Sequence, residues 1–274
     1  MRFDGRVAVI TGGGRGLGAA FGHALAAEGA RIAVVEIDEV AAAEAVEALR
    51  LAGHDAAAFR CDITDEVRVD EVVHEVVDRW GRLDILVNNA ALHRKEYTKP
   101  FHTLPRSEVR ALFEVNVIGI VNFSVSARPA MIAGGGGCIV NIASTSSNAS
   151  RTPYGVSKLA VRGLTTALAA DFRDDNIRVN CISPGFVGSN GTLDEISSDR
   201  LVAILSALGV SIPPAASERL THDDLVGMIR GLHSVPNEGT PDDVVKALLY
   251  LCSDDAKFVS GETLRIAGGS SIGF

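Results

Sequence analysis

Residues 7–18 read Val-Ala-Val-Ile-Thr-Gly-Gly-Gly-Arg-Gly-Leu-Gly. The apolar run predicts a strand buried on both faces, and the glycines predict a turn into a helix that begins near Gly16. Because glycine has no Cβ, the backbone of such a turn can approach a phosphate closely, and the free N–H groups of the helix start favour an anion. The stretch therefore predicts a pyrophosphate-binding turn in an α/β fold.

Strand and helix patterns alternate along almost the whole chain. Short β-prone runs predict seven strands, at 7–11, 31–36, 56–60, 83–88, 138–143, 178–182 and 263–266. Helical periodicity predicts helices at 18–28, 40–52, 66–80, 107–131, 153–172 and 241–252. Since parallel strands need crossover connections, we predict an α/β fold: a Rossmann-like, doubly wound, seven-stranded parallel sheet with helices on both faces. Functional residues are then expected at the carboxyl ends of the strands.

We expect a single domain, 1–274, with a helical insertion at about 189–239. Two helical patterns, 193–208 and 221–232, predict that the insertion forms a lid over the crevice of the sheet. Its apolar residues are Leu201, Val202, Ile204, Leu205, Leu208, Leu225, Met228 and Ile229. These residues either line a pocket for a small, lipophilic alcohol or ketone or pack against the body of the protein, and the sequence leaves both interpretations open.

Composition narrows the choice of partner. The chain has 34 acidic and 26 basic residues, a formal net charge of -8, and no basic block, which argues against nucleic acid and anionic membrane. Four scattered cysteines without C-x-x-C spacing and seven histidines without a paired motif predict no metal and reduced thiols. The first apolar run is too short for a spanning helix or a signal peptide. We expect a cytoplasmic protein with a small-molecule partner.

The predicted second strand ends in Glu36, about 20 residues after the glycine turn, which is the spacing at which an acid meets an adenosine ribose. A carboxylate there accepts hydrogen bonds from both ribose hydroxyls and repels a 2′-phosphate. Arg15 in the turn favours the opposite choice, because a guanidinium can hold that phosphate. We expect NAD(H), and NADP(H) stays open.

Residues 154–158 read Tyr-Gly-Val-Ser-Lys, which places a phenol and an ammonium one helical turn apart. A free phenol has a pKa near 10, so bringing it close to neutrality takes roughly 3 units of preferential stabilisation of the phenolate. A lysine on the same helix face supplies much of that stabilisation. Downstream of a phosphate-binding turn, the pair predicts a tyrosine that exchanges protons.

These segments resemble the motifs of the short-chain dehydrogenase/reductase superfamily, and the resemblance runs from Arg6 to Gly269. The matching segments are 11–18, 61–63, 88–91, 116–119, 139–144, 154–158 and 184–189. The chain departs from the pattern in four places: Ala91 and Ser189 replace the usual glycine and threonine, the stretch from Ser144 to Tyr154 is shorter than usual, and residues 266–269 read Ile-Ala-Gly-Gly. The resemblance also implies a homodimer or homotetramer built from the helices that begin at Ser107 and Pro153.

The resemblance implies a catalytic tetrad of Asn116, Ser144, Tyr154 and Lys158. It implies that the coenzyme is held by Gly12, Arg15, Gly16, Leu17, Gly18, Glu36, Asp62, Ile63, Asn89, Ala90, Tyr154, Lys158, Pro184, Gly185, Val187 and Ser189. Thr145, Ser146 and Ser147 offer neighbouring hydroxyls that compete with Ser144 for the serine role.

The hypothesis is hydride transfer between a nicotinamide and the carbon of a carbonyl or secondary alcohol, with Tyr154 exchanging the proton on its oxygen. In this hypothesis Lys158 lowers the pKa of the phenol and Asn116 fixes a water that passes protons to Lys158. Two alternatives stay open: an NADP-linked 3-oxoacyl reductase, and a non-catalytic coenzyme-binding or redox-sensing protein of the same fold. His93, Arg94 and Lys95 lie near the expected mouth of the site, either to meet an anionic group or as a solvated loop.

Overall fold

The computed structural model describes residues 1–187, 197–207, 210, 212–213, 219–235 and 239–270. Its centre is one sheet of seven parallel strands in the order β3-β2-β1-β4-β5-β6-β7. The strands are β1 (Val7–Thr11), β2 (Arg31–Glu36), β3 (Ala56–Arg60), β4 (Ile85–Asn88), β5 (Gly137–Ile142), β6 (Ile177–Pro184) and β7 (Thr263–Ile266). The predicted fold class is therefore confirmed, with strand boundaries within two residues of those expected.

Two layers of helices bury the sheet, because successive side chains of each strand point to opposite faces. The helices are α1 (Gly16–Ala27), α2 (Glu39–Leu51), α3 (Glu66–Trp80), α4 (Arg106–Phe113), α5 (Gly119–Ala133), α6 (Ser146–Ala149), α7 (Pro153–Asp171), α8 (Ser198–Ala207), α9 (His222–Gly231) and α10 (Pro241–Cys252). Ala8 and Ile10 of β1 belong to the core under α1, α2 and α10. Val7 and Val9 belong to the core under α3, α5 and α7. Helices thus cover both faces, as predicted.

The predicted helix 107–131 is interrupted. A π-helical segment, Glu114–Ile118, separates α4 from α5 and carries Asn116, which is fully buried. A π segment adds a residue to the helical turn, and such segments are frequent at functional sites. Helical periodicity does not reveal this interruption, because the apolar pattern continues through it.

The stretch Arg106–Ala133 is, by length and composition alone, the one helix in the described part of the chain that would suffice to span a membrane. A core helix of a soluble protein passes the same test. Here Phe123, Ala127 and Met131 of α5 are fully buried in the core that α3 also covers. The stretch is therefore weak evidence for a membrane.

The described part of the predicted insertion contains α8 and α9, which pack on each other. Leu201, Leu205, Leu225 and Ile229 are almost fully buried in a shared apolar cluster that also contacts Phe186, just after β6. Much of the apolar set is therefore engaged in packing within the insertion. The expected first helix, 193–208, is seen from Ser198 onward, and residues 193–196 and 208 lie outside the described residues. The single domain with its insertion, and the lid, remain predictions.

We predict that Gly18→Ala destabilises the fold. A Cβ on Gly18 would overlap the carbonyl oxygen of Gly12 and lie 2.7 Å from Nδ2 of Asn89, so the glycine turn or the helix must move. Overpacking of this kind costs about 1–3 kcal/mol. The measurement is the free energy of unfolding from urea titrations followed by circular dichroism.

Gly227→Ala in α9 is the matched control, because a Cβ there meets nothing within 4 Å. That substitution is expected to leave stability unchanged or raise it by up to about 1 kcal/mol, since alanine is the better helix former. Equal unfolding free energies for the two variants would contradict the prediction.

Candidate active site

A cavity of about 1500 Å³ lies at the carboxyl ends of β1, β2, β4, β5 and β6. Pockets for drug-sized ligands typically measure about 300–1,000 Å³, so this one has room for a larger molecule. The predicted site residues that line it are Gly12, Gly16, Leu17, Glu36, Asp62, Ile63, Asn89, Ala90, Ser144, Tyr154, Lys158, Pro184, Gly185 and Val187. Arg15, Gly18 and Asn116 do not line it, and Ser189 lies outside the described residues.

The glycine turn is fastened to the end of β4. Nδ2 of Asn89 donates to the carbonyl oxygens of Thr11 and Gly12, both at 3.0 Å, and the backbone N–H groups of Asn89 and Ala90 donate to Oγ1 of Thr11 at 3.0 and 3.1 Å. Gly12 has φ +62°, and a Cβ there would lie 2.9 Å from Cα of Ala90. Gly16 has φ +56° with open space where its Cβ would be. The turn fits a dinucleotide, because bare backbone and the start of α1 face the cavity.

Glu36, the last residue of β2, lines the cavity next to the glycine turn. Its carboxylate accepts hydrogen bonds from the backbone N–H groups of Gly14 at 3.3 Å, Ile37 at 2.9 Å and Asp38 at 3.3 Å. These bonds hold the side chain beside the glycine turn. Arg15, the competing residue in the sequence, lies at the rim in an ion pair with Asp38.

The Tyr154–Lys158 pair lies in the first turns of α7. Pro153 opens this helix, and Oγ1 of Thr152 caps it by accepting from the backbone N–H of Gly155 at 3.1 Å. Nζ of Lys158 lies 5.9 Å from the ring centroid of Tyr154 and donates to the carbonyl oxygen of Ile142 at 2.7 Å. Burial lowers the pKa of Lys158 to about 8, with only a small opposing effect of Cys181.

The expectation that Lys158 brings the phenol close to neutrality is wrong for the protein by itself. Burial raises the pKa of Tyr154 to about 12 and outweighs the hydrogen bond with Ser144, which lowers it. The physical reason is that the amine points at the carbonyl oxygen of Ile142 and is itself desolvated. The phenol is therefore a protonated group at neutral pH.

The structure distinguishes between the four neighbouring hydroxyl side chains, residues 144–147, that are candidates for the serine role. Ser144 lies close enough to Tyr154 to lower the pKa of the phenol, and its Oγ accepts from the backbone N–H of Ser146 at 3.2 Å. Ser147 is buried, and its Oγ accepts from Arg162 at 3.4 Å. Thr145 and Ser146 also line the cavity. Its effect on the pKa of Tyr154 favours Ser144 for the serine role.

Asn116 lies behind the cavity wall. Its Oδ1 accepts from the backbone N–H of Leu92 at 2.7 Å, and its Nδ2 donates to the carbonyl oxygen of Leu92 at 3.3 Å and to Oγ of Ser157 at 3.1 Å. The amide thus ties the loop after β4 to α7. This positioning contact was not expected from the sequence, and the water relay through Asn116 stays a prediction.

His93 contacts Tyr154 directly. The two ring centroids are 4.6 Å apart with an interplanar angle of 44°, and His93 lines the cavity. The sequence placed His93 at the mouth of the site but gave no signal for this ring contact. Arg94 lines a second, smaller cavity instead, and the side chain of Lys95 lies outside the described residues.

Within the described residues, no group of three His, Cys, Asp or Glu is arranged to hold a metal ion.

We predict that Lys158→Met stabilises the fold at pH 7. A shift of the pKa from 10.5 to about 8 means that the folded chain resists protonation of this lysine, a penalty of about 3 kcal/mol. The penalty is fully present below about pH 8 and disappears as the pH rises toward 10.5, because only the unfolded chain then binds the proton. The loss of the bond to Ile142 offsets part of the gain, so the pH dependence is the decisive measurement.

The measured quantity is the free energy of unfolding of Lys158→Met in urea minus that of the parent chain. This difference is expected to fall by about 2 kcal/mol between pH 7 and about pH 10. Lys257→Met, which removes an exposed lysine, is the matched control. The same pH dependence in both variants would count against a desolvated Lys158.

Comparisons with known proteins identify the family of the chain. The family described as short chain dehydrogenase matches residues 6–200, and the family described as Enoyl-(Acyl carrier protein) reductase matches residues 202–271. A 7alpha-hydroxysteroid dehydrogenase of Escherichia coli (strain K12) is 34% identical over 272 residues, which cover 98% of this chain and 95% of the relative.

Two solved structures share the fold over nearly their whole length. One is a 7 alpha-hydroxysteroid dehydrogenase complexed with NADH and 7-oxo glycochenodeoxycholic acid, with TM-score 0.78 and 32% identity, covering 98% of this chain and 95% of that one. The other is an NAD+-bound xylitol dehydrogenase, with TM-score 0.83 and 30% identity, covering 98% and 100%. On the family match and the relatives together, the chain belongs to the short-chain dehydrogenase/reductase superfamily of nicotinamide-dependent oxidoreductases.

Proposed function

We propose that the protein is an NAD-dependent dehydrogenase that acts at a secondary alcohol or carbonyl carbon of a small molecule. One observation carries the proposal: Ser144, Tyr154 and Lys158 line the same cavity as the glycine turn. A coenzyme site and a proton-exchanging group are thus adjacent, which is what redox chemistry at a C–OH centre requires.

Each residue of this cavity has a proposed role. When NAD(H) is bound it supplies or accepts the hydride. Tyr154 is protonated at neutral pH and can donate its proton to a carbonyl oxygen, while Ser144 holds that oxygen by a hydrogen bond. The reverse direction needs a phenolate, and Lys158 is the nearby cation that would stabilise one. Asn116 fixes the loop that carries His93 against the phenol.

NAD(H) is proposed over NADP(H). Glu36 stays at the adenosine end of the cavity as a carboxylate held by three backbone N–H groups, where it would repel a 2′-phosphate. The solved relatives described above carry NADH and NAD+. Apart from Arg15, which pairs with Asp38, the remaining coenzyme contacts are proposed as the resemblance implied them, and they include Ser189, which lies outside the described residues.

The substrate is proposed as a small alcohol or ketone. The cavity offers it apolar contact with Phe186 and Val187 and polar contact with His93, Thr98 and Asp199. Part of the apolar set that suggested a lipophilic substrate is engaged between α8 and α9. The relatives are named for a steroid and for xylitol, so they cover both apolar and polar alcohols.

The two alternatives are not favoured. A non-catalytic coenzyme binder has no use for a tyrosine, a serine and a buried lysine gathered at one end of the cavity, where the lysine is costly to fold. An NADP-linked 3-oxoacyl reductase conflicts with Glu36 at the end of β2.

We also propose a cytoplasmic homodimer or homotetramer that binds neither nucleic acid nor membrane. Exposed apolar side chains along α5 and α7 support assembly through these helices: Val125 is 54% exposed, Ile132 44% and Leu159 44%. Burial of such residues against another subunit is favourable. The acidic net charge supports the absence of a nucleic-acid partner.

We predict that Tyr154→Phe lowers kcat by roughly 10² to 10⁴, the usual contribution of general acid–base assistance, and changes the Kd for NADH by less than about threefold. Turnover is followed by nicotinamide absorbance with a panel of secondary alcohols and ketones that includes polyols and steroids. Binding is followed by NADH fluorescence.

Tyr250→Phe removes a hydroxyl from the outer face of α10 and is the matched control. Near-full turnover of Tyr154→Phe would refute the catalytic assignment. NADH binding by the parent chain without turnover of any compound in the panel would favour the coenzyme-binding alternative.

A further inference from the structure

The adenosine rim, formed by Arg15, Glu36, Asp38, Glu39 and Arg60, surrounds the end of β2. Glu36 is paired in register with Arg60 at the ends of β2 and β3, and Arg15 immediately precedes α1. Glu36 itself lines the cavity. The rim holds three carboxylates and two guanidinium groups, so its formal charge is one negative.

Both cations of the adenosine rim are already engaged. Arg15 pairs with Asp38, with Nη2 and Oδ2 2.5 Å apart, and Arg60 pairs with Glu39 at 3.2 Å. Arg15 is the one that lies in the glycine turn, close to where the 2′-phosphate of NADP(H) would have to be held. Its guanidinium is neutralised by Asp38 before any ligand arrives.

Asp38 is held in place beside Arg15, because its carboxylate also caps α2. Its Oδ1 caps α2 by accepting from the backbone N–H groups of Val40 at 3.0 Å and Ala41 at 3.1 Å. The bond from Ala41 and the ion pair with Arg15 both lower the pKa of this carboxyl, so it is charged at neutral pH. The cap keeps Asp38 in place beside Arg15, because the carboxylate cannot turn away without freeing two N–H groups, so the pair opens only when the arginine side chain itself moves.

We infer that Asp38 is a specificity-determining residue for the coenzyme: it ties Arg15 to the cap of α2 and so withholds the guanidinium from the 2′-phosphate of NADP(H). The inference rests on the proposed function, because it concerns the coenzyme of that site. The pairing also resolves the opposite coenzyme preferences that Glu36 and Arg15 indicate in the sequence. Because Arg15 is engaged with Asp38, Glu36 decides between NAD(H) and NADP(H).

The test is a double-mutant cycle read by calorimetric titration with NADH and NADPH. Asp38→Asn removes the charge but keeps a residue that caps helices well, so α2 stays capped. We expect this variant to bind NADPH roughly tenfold more tightly than the parent, through the freed guanidinium of Arg15. Its Kd for NADH is expected to change by less than about threefold, because NADH carries no 2′-phosphate.

The second arm removes the guanidinium. Arg15→Ala in the parent chain is expected to change the Kd for NADPH by less than about threefold, whereas in the Asp38→Asn background it weakens NADPH binding roughly tenfold. Asp174→Asn is the matched control, because it takes an aspartate from an exposed ion pair with Arg173, just before the amino end of β6.

Two outcomes overturn the inference. An equal gain in NADPH affinity from Asp38→Asn with and without Arg15 would mean that only charge repulsion acts. A tenfold loss from Arg15→Ala in the parent would mean that Arg15 is already available. Failure of the parent to bind NADH would instead overturn the proposed function itself, so the two failures are distinguishable.

Discussion

The common direction of the seven strands decides where this protein can act. Parallel strands need a crossover each, so all their carboxyl ends reach the same edge of the sheet, where connecting loops leave a crevice. Gly12, Glu36, Asn89, Ser144 and Pro184 are far apart in the sequence and share one cavity for this reason. The apolar strands that support this edge are buried under helices on both faces.

Polar contacts between the loops then set the finer geometry. Asn89 fastens the glycine turn to the end of β4, and Asn116 fastens the following loop to α7. The amide of Asn89 donates to two carbonyl oxygens, and the amide of Asn116 donates and accepts at once, so each side chain joins its loop at more than one point. Through Leu92 and His93 the second contact reaches the ring of Tyr154. The two asparagines therefore connect the coenzyme end of the cavity with the reactive end.

Burial dominates the electrostatics of the reactive end. The same low-polarity surroundings raise the pKa of Tyr154 and lower that of Lys158, so both groups are pushed toward their neutral forms. Burial of the amine opposes its charged form, and the proposed reaction gives that charge a use at this place. In the adenosine rim the charged side chains are exposed, so burial has little effect on them. Which of these charges a ligand can reach depends on their ion pairs.

The sequence by itself determined the fold class, the seven strands, the glycine turn and the Tyr154–Lys158 pair, because apolar periodicity, glycine clusters and helical spacing are local properties. Only the tertiary structure decided three things: the π segment that buries Asn116, the burial that raises the pKa of Tyr154, and the pairing of Arg15 with Asp38. Each depends on contacts between segments far apart in the chain. Side-chain burial and charge pairing are properties of the packed molecule, and no local pattern contains them.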